Sequence, residues 1–166
     1  IILPNNKNIF MAAQSATEVV DVNAAVVETR TVPQGFRSLL AFDPNQSIEA
    51  NVEAMTVSLS DVTSGSVTLA VRDTTIDGLE IHENDILGMV DGKILVSTPD
   101  MDQALLDTFE KMIDEDSEIV MIYVGEEGNQ EQAQALAEKL EEAHEDIEVE
   151  IFQGDQPVYP YIFSVE

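Results

Sequence analysis

Residues able to carry chemistry are few, and most can be assigned to structure. The 166 residues contain no cysteine, which removes thiolate nucleophiles, disulfides and thiolate metal sites. His82 and His144 lie about sixty positions apart, outside any metal-ligand spacing. The pairs Asp100/Asp102 and Asp114/Glu115/Asp116 lack the glycine and distal glutamate of a calcium loop, and they fall at a helix start and a helix exit. Ser64-Gly65-Ser66 reads as a turn rather than a nucleophile elbow. Neither a Walker A sequence nor a Gly-x-Gly-x-x-Gly run follows any strand, so nucleotide binding by these residues is not expected.

What remains is a polar, locally basic set. Lys7, Arg30, Arg37 and Arg72 hold four of the seven positive charges. Asn5, Asn6, Thr31, Gln34, Asp73 and Thr74 stand beside them in sequence. The Asn5–Lys7 turn, Arg30 and Arg72 fall at the carboxyl ends of predicted strands. Parallel neighbouring strands would bring them to one sheet edge, where open α/β sheets bind ligands and partners. Guanidinium and amide groups there would recognise carboxylate or phosphate. The plainer account is salt bridging to local acids.

Charge narrows the classes of partner. With 33 acidic and 7 basic residues the formal net charge is −26, which repels nucleic acid and anionic lipid. The excess is concentrated after Ile76. Either it is a solvated surface, or it is a docking face for a basic partner. A 44% hydrophobic content supports a real core, and no apolar run is long enough to span a bilayer. No leader-like segment is visible, so cytoplasmic localisation is expected. Ile1 sits inside an apparent strand, which suggests a piece of a longer polypeptide.

The elements that must position these residues alternate. Ile1–Leu3 reads as a strand, then Ile9, Ala13, Ala16 and Val20 recur at helical spacing. A strand is expected over 24–29, then a short helix opened by Thr31-Val32-Pro33 with Phe36, Leu39 and Leu40 as its apolar face. A helix capped by Asp43 or Ser47 carries Ile48, Val52, Met55, Leu59 and Val62 as one stripe. A strand over 66–71 follows. In the second half, Asp91-Gly92 between apolar runs predicts a hairpin. Beyond it come a helix capped at Asp100, a strand over 118–124, a helix capped at Asn129, and strands over 147–152 and 158–165. The class is α/β, as two small mixed-sheet subdomains, 1–76 and 77–166.

Several phrases carry a resemblance: Leu3-Pro4-Asn5-Asn6-Lys7-Asn8-Ile9, Thr31-Val32-Pro33-Gln34-Gly35, Leu40-Ala41-Phe42-Asp43-Pro44, 70–78, Lys111-Met112-Ile113-Asp114, and 154–159. In order and spacing they resemble the C-terminal domain of the bacterial fatty acid kinase A family, which is related to dihydroxyacetone kinases. The resemblance implies a DegV-like fold whose first subdomain is preceded by a strand–helix segment missing here. It also implies a parent enzyme that uses ATP and magnesium in a separate kinase domain to make acyl phosphate for phospholipid synthesis. This segment would bind no cofactor and would not be catalytic. Its implied work is to dock a DegV-like fatty-acid-binding partner for the kinase domain of the same polypeptide, with homodimerisation a further option. On that account Asn5, Asn6, Lys7, Arg30, Thr31, Gln34, Arg37, Arg72, Asp73 and Thr74 are the contact residues. The competing reading is a stand-alone DegV-like domain that binds a lipid or phospho-ligand itself.

Overall fold

Pro4 ends the first extended segment after three residues, because it cannot donate to a ladder. What survives of the expected strand pair is a single parallel bridge, Ile2 to Val26. The computed structural model describes all of residues 1–166. They form two units, Ile1–Val62 and Thr63–Glu166.

The first unit is mostly helical: α1 (Phe10–Val19), α2 (Val32–Leu40) and α3 (Ile48–Val57). A 3-10 turn at Lys7–Ile9 precedes α1 and another at Ser58–Asp61 follows α3. Thr31 caps α2, with Pro33 in its first turn. Ser47 rather than Asp43 caps α3, accepting from the Ala50 amide at 3.2 Å. Asp43 instead closes its own turn by accepting from the Asn45 amide at 2.8 Å, which holds its carboxyl below the usual range. Of the α3 stripe, Met55 and Val62 are buried, while Ile48, Val52 and Leu59 are half-buried.

The second unit is a six-stranded mixed sheet, with strand numbers following the chain: β1 (Thr63–Leu69), β4 (Ile86–Val90), β5 (Lys93–Thr98), β6 (Ile119–Val124), β7 (Glu148–Gln153) and β8 (Tyr161–Val165). Its order is β5-β4-β1-β8-β6-β7, and β6/β7 is the parallel pair. The hairpin expected at Asp91-Gly92 joins β4 and β5, with both turn residues at positive φ (48° and 79°) as a type I′ turn requires. A second Asp-Gly turn, Asp77-Gly78, makes a separate small hairpin of β2 (Thr74–Ile76) and β3 (Leu79–Ile81).

Helices α4 (Met101–Phe109) and α5 (Gln130–Ala143) cover one face of the sheet. Asp100 and Asn129 cap them, accepting from the Gln103 and Gln132 amides at 2.8 and 3.0 Å. The core between the layers includes Val67, Phe109, Val120, Ile122, Leu136 and Phe163, and the Phe109 and Phe163 ring centroids are 4.6 Å apart. Two glycines make room for α4 and the turn that follows it. A Cβ on Gly65 would meet Met112 Sδ, and one on Gly88 would meet Thr108 Oγ1.

The division of the chain falls earlier than the change in charge suggested. β1 pairs with β4 on one side and β8 on the other, so residues 63–76 belong with the acidic half. The first unit carries a net −4 and the second −22.

Candidate functional site

Most of the polar residues singled out in the first unit converge on the N-terminus of α2. Asn5 adopts a left-handed conformation (φ 55°), one that asparagine tolerates better than most residues. Its amide donates to Thr29 Oγ1 at 2.9 Å, and Thr29 is completely buried. The Asn5 side chain lies against Gly35, where any Cβ would collide with it. Asn5 Oδ1 is buried without a hydrogen-bond partner. Asn6 accepts from the Asn8 amide at 2.9 Å and so caps the 3-10 turn that contains Lys7. On the helix side, the Gln34 amide donates to Thr31 Oγ1 at 3.3 Å, and the Arg30 amide donates to Gln34 Oε1 at 2.8 Å. Asn5, Thr29, Arg30, Thr31, Gln34 and Gly35 therefore form one interlocked knot. Thr29 and Gly35 were not singled out from sequence. The signal for Gly35 was its place in a helix whose other small residues, Pro33 and Ser38, share its side.

The basic residues divide. Arg37 pairs with Asp61, Nη2 to Oδ2 at 2.9 Å, so the salt-bridge account holds for it. Lys7 and Arg30 make no ion pair and are exposed. Arg72, Asp73 and Thr74 lie in the second unit. Asp73 Oδ1 accepts from the Glu83 amide at 2.7 Å, bracing a turn, and Thr74 begins β2 opposite Ile81.

The main departure from expectation is the orientation of α2. The helix buries Pro33, Gly35 and Ser38, and turns Phe36, Leu39 and Leu40 outward, 49%, 52% and 72% exposed. Phe42 just beyond it is 46% exposed. Small residues on the inner side let the helix approach its support closely. The apolar stripe is thus left as surface, the arrangement expected of an interaction site.

A groove of about 740 Å³ lies elsewhere in the first unit, between the segment 22–25 and α3. Val22, Ala24, Ile48 and Val52 are among its apolar lining, and Glu49 and Glu53 stand in it one helical turn apart. The Glu49 carboxyl is held below the usual range by its own backbone N–H and by Ser47.

Residues 1–166 match the FakA-like C-terminal family, that is, the C-terminal domain of fatty acid kinase A-like proteins. The chain belongs to that family. It is 47% identical over 165 residues to protein YloV of Bacillus subtilis, and 42% identical over 166 residues to an uncharacterized protein of Staphylococcus aureus. It spans 30% of the length of each of these curated relatives. Among solved structures it is similar to a DegV family protein from Corynebacterium glutamicum, with TM-score 0.61 and 19% identity, over 94% of this chain and 68% of that one. It is also similar to the fatty acid kinase (Fak) B3 protein of Streptococcus pneumoniae, solved with linoleic acid, with TM-score 0.53 and 15% identity over 96% and 64%. At these identities the likeness establishes a DegV-type fold. No helix is long and apolar enough to cross a membrane.

Proposed function

We propose that this module docks a DegV-like, fatty-acid-carrying partner and holds it for phosphorylation of the acyl carboxylate by a kinase domain of the same polypeptide. ATP and magnesium are assigned to that kinase domain, and no residue of this module is assigned to the chemistry. Membership of the FakA-like C-terminal family supports the setting. The observation that carries the docking role is the outward apolar face of α2, Phe36, Leu39 and Leu40, set beside the Asn5–Arg30–Gln34 knot. Aromatic and leucine side chains supply the burial energy of an interface, and polar neighbours fix its register. Lys7 and Arg30, free of ion pairs, supply charge at the rim.

Replacing Phe36→Glu and Leu40→Glu together in the parent polypeptide is expected to weaken partner binding at least about 100-fold in a calorimetric titration, the scale of losing hot-spot residues. Unchanged affinity would overturn the assignment.

A second reading, direct binding of a lipid, rests on the groove beside α3. Glu49 and Glu53 oppose it, because two carboxylates disfavour an anionic head group. Mass spectrometry of the denatured protein decides between the two. A co-purified fatty acid supports the second reading, and its absence from protein that binds the partner supports docking.

A further inference from the structure

The groove between the segment 22–25 and α3 is not used by the docking role, and no residue of α2 lines it. One wall is the face of α3 that runs from Ile48 to Val57. Ile48 and Val52 are half-buried there, and Glu49 and Glu53 beside them are exposed.

The opposite wall is an unfinished strand. Ile2 donates to the Ala25 carbonyl at 2.8 Å and accepts from the Val27 amide at 3.1 Å. The N–H and C=O of Val26, between them, therefore point to the other edge of this strand. Those of Ala24, two residues earlier, share that edge. None of these four groups has a hydrogen-bond partner. Ala24 also lines the groove, so an open strand edge stands on one side and a helix on the other. An extended peptide can add to such an edge, its backbone completing the ladder while alternate side chains reach the helix.

Charge and spacing define the occupant. Glu49 and Glu53 make no ion pair, and no Lys or Arg lines the groove. Side chains four apart on a helix lie about 6 Å from each other. Alternate residues of an extended chain are about 6.6 Å apart, so two cations at alternate positions match the two carboxylates. Their aliphatic stems would cover Ile48 and Val52. The α3 wall is about 13 Å long at its rise per residue, enough for about four extended residues. We propose that this groove takes an extended segment of a separate protein, with Lys or Arg at two alternate positions, by strand addition along Ala24–Val26. No two basic residues stand at alternate positions within residues 1–166, so a second copy of this module cannot supply the segment.

The probe is a synthetic six-residue peptide in which lysine alternates with valine, titrated into the parent polypeptide and followed by fluorescence anisotropy. Saturable binding is expected, with hydrogen exchange slowed over 22–27 and 48–57. Glu49→Gln together with Glu53→Gln should weaken binding about 5- to 10-fold, the scale of two exposed ion pairs. Methylating the backbone nitrogens of the peptide should abolish it. Any cationic peptide is drawn to a chain of net charge −26, so the control has the same composition with its lysines in one block. Equal affinity for that control, slowed exchange confined to the second unit, or no binding would overturn the inference. So would protection of the Val26 amide in the parent before peptide is added, because the parent itself would then fill the groove. The docking role is tested separately: the Glu49/Glu53 variant should bind the acyl-carrying partner as before. A fall in that affinity would mean that the groove belongs to the α2 surface, and would overturn a separate occupant.

Discussion

The two units handle their apolar residues in opposite ways. In the second, eighteen buried apolar side chains form one cluster between a six-stranded sheet and two helices. In the first, Val27, Met55 and Val62 are the only large apolar side chains buried to the same degree, while α1 and α2 hold theirs in solvent. Charge follows the same division. The self-sufficient unit carries −22 and the open one −4. A surface low in net charge that exposes Phe, Leu and Met is suited to contact, and a strongly acidic one favours solvation. On the docking proposal, the first unit is the part that meets a partner chain.

That contrast can be broken most sharply by truncation. Phe163→Ala removes a fully buried ring packed on Phe109 and is expected to cost about 3–5 kcal/mol in denaturant unfolding. Phe36→Ala should cost only about 1 kcal/mol, because its ring is half exposed. Equal costs would mean that α2 is structural and not an interaction face.

Next in size is the packing of α4. Gly88→Ala places a methyl group against Thr108 Oγ1 and is expected to destabilise the second unit by about 1–3 kcal/mol. Thr108→Ala in the same chain should recover part of the loss, as read by the unfolding midpoint.

Two groups of the second unit give it a pH signature. The His82 amide and the Ser97 hydroxyl donate to Asp85 at 3.0 and 2.9 Å, and they hold its carboxyl below the ordinary value near 3.8. A depressed carboxyl contributes stability above its unfolded pKa and loses it as pH falls through the folded one. Asp85→Asn should therefore flatten the stability profile below about pH 4. Burial pushes the Tyr161 phenol up, and its hydroxyl is shared with the Asn129 carbonyl at 3.0 Å and Gln132 Oε1 at 2.7 Å. Its sign is the reverse: the contribution is complete below about pH 10 and is lost as pH rises through the raised value. Tyr161→Phe should remove that alkaline limb in a circular dichroism titration. The smallest effect is Met11→Gln, which should leave the stability of the isolated chain unchanged within about 0.5 kcal/mol.

Much of the second unit was legible because its signals are local. Asp91-Gly92 names its own hairpin, and Asp100 and Asn129 name their helix starts. The phrases shared with the fatty acid kinase A family were equally readable, and the family match over residues 1–166 agrees with them. The second Asp-Gly turn, at Asp77-Gly78, is less legible because its strands are only three residues long and one of them, Thr74–Ile76, is exposed throughout. In the first unit, periodicity located α2 but could not say which side faces inward. Phe36, Leu39 and Leu40 look like a core stripe until Pro33, Gly35 and Ser38 are seen to occupy the inner side. Likewise the polar set read as one sheet edge. Asn5, Arg30, Thr31 and Gln34 do meet, but Arg72, Asp73 and Thr74 travel with β1, whose partners β4 and β8 are distant in sequence.

The central claim is that α2 and the turn before it form the docking surface. Hydrogen exchange on the parent polypeptide, with and without its acyl-carrying partner, tests this most directly. The account predicts slowed exchange at Asn5–Asn8 and across Val32–Leu40, with the β6 and β8 amides unchanged. Slowing confined to the acidic second unit, with α2 unaffected, would contradict it.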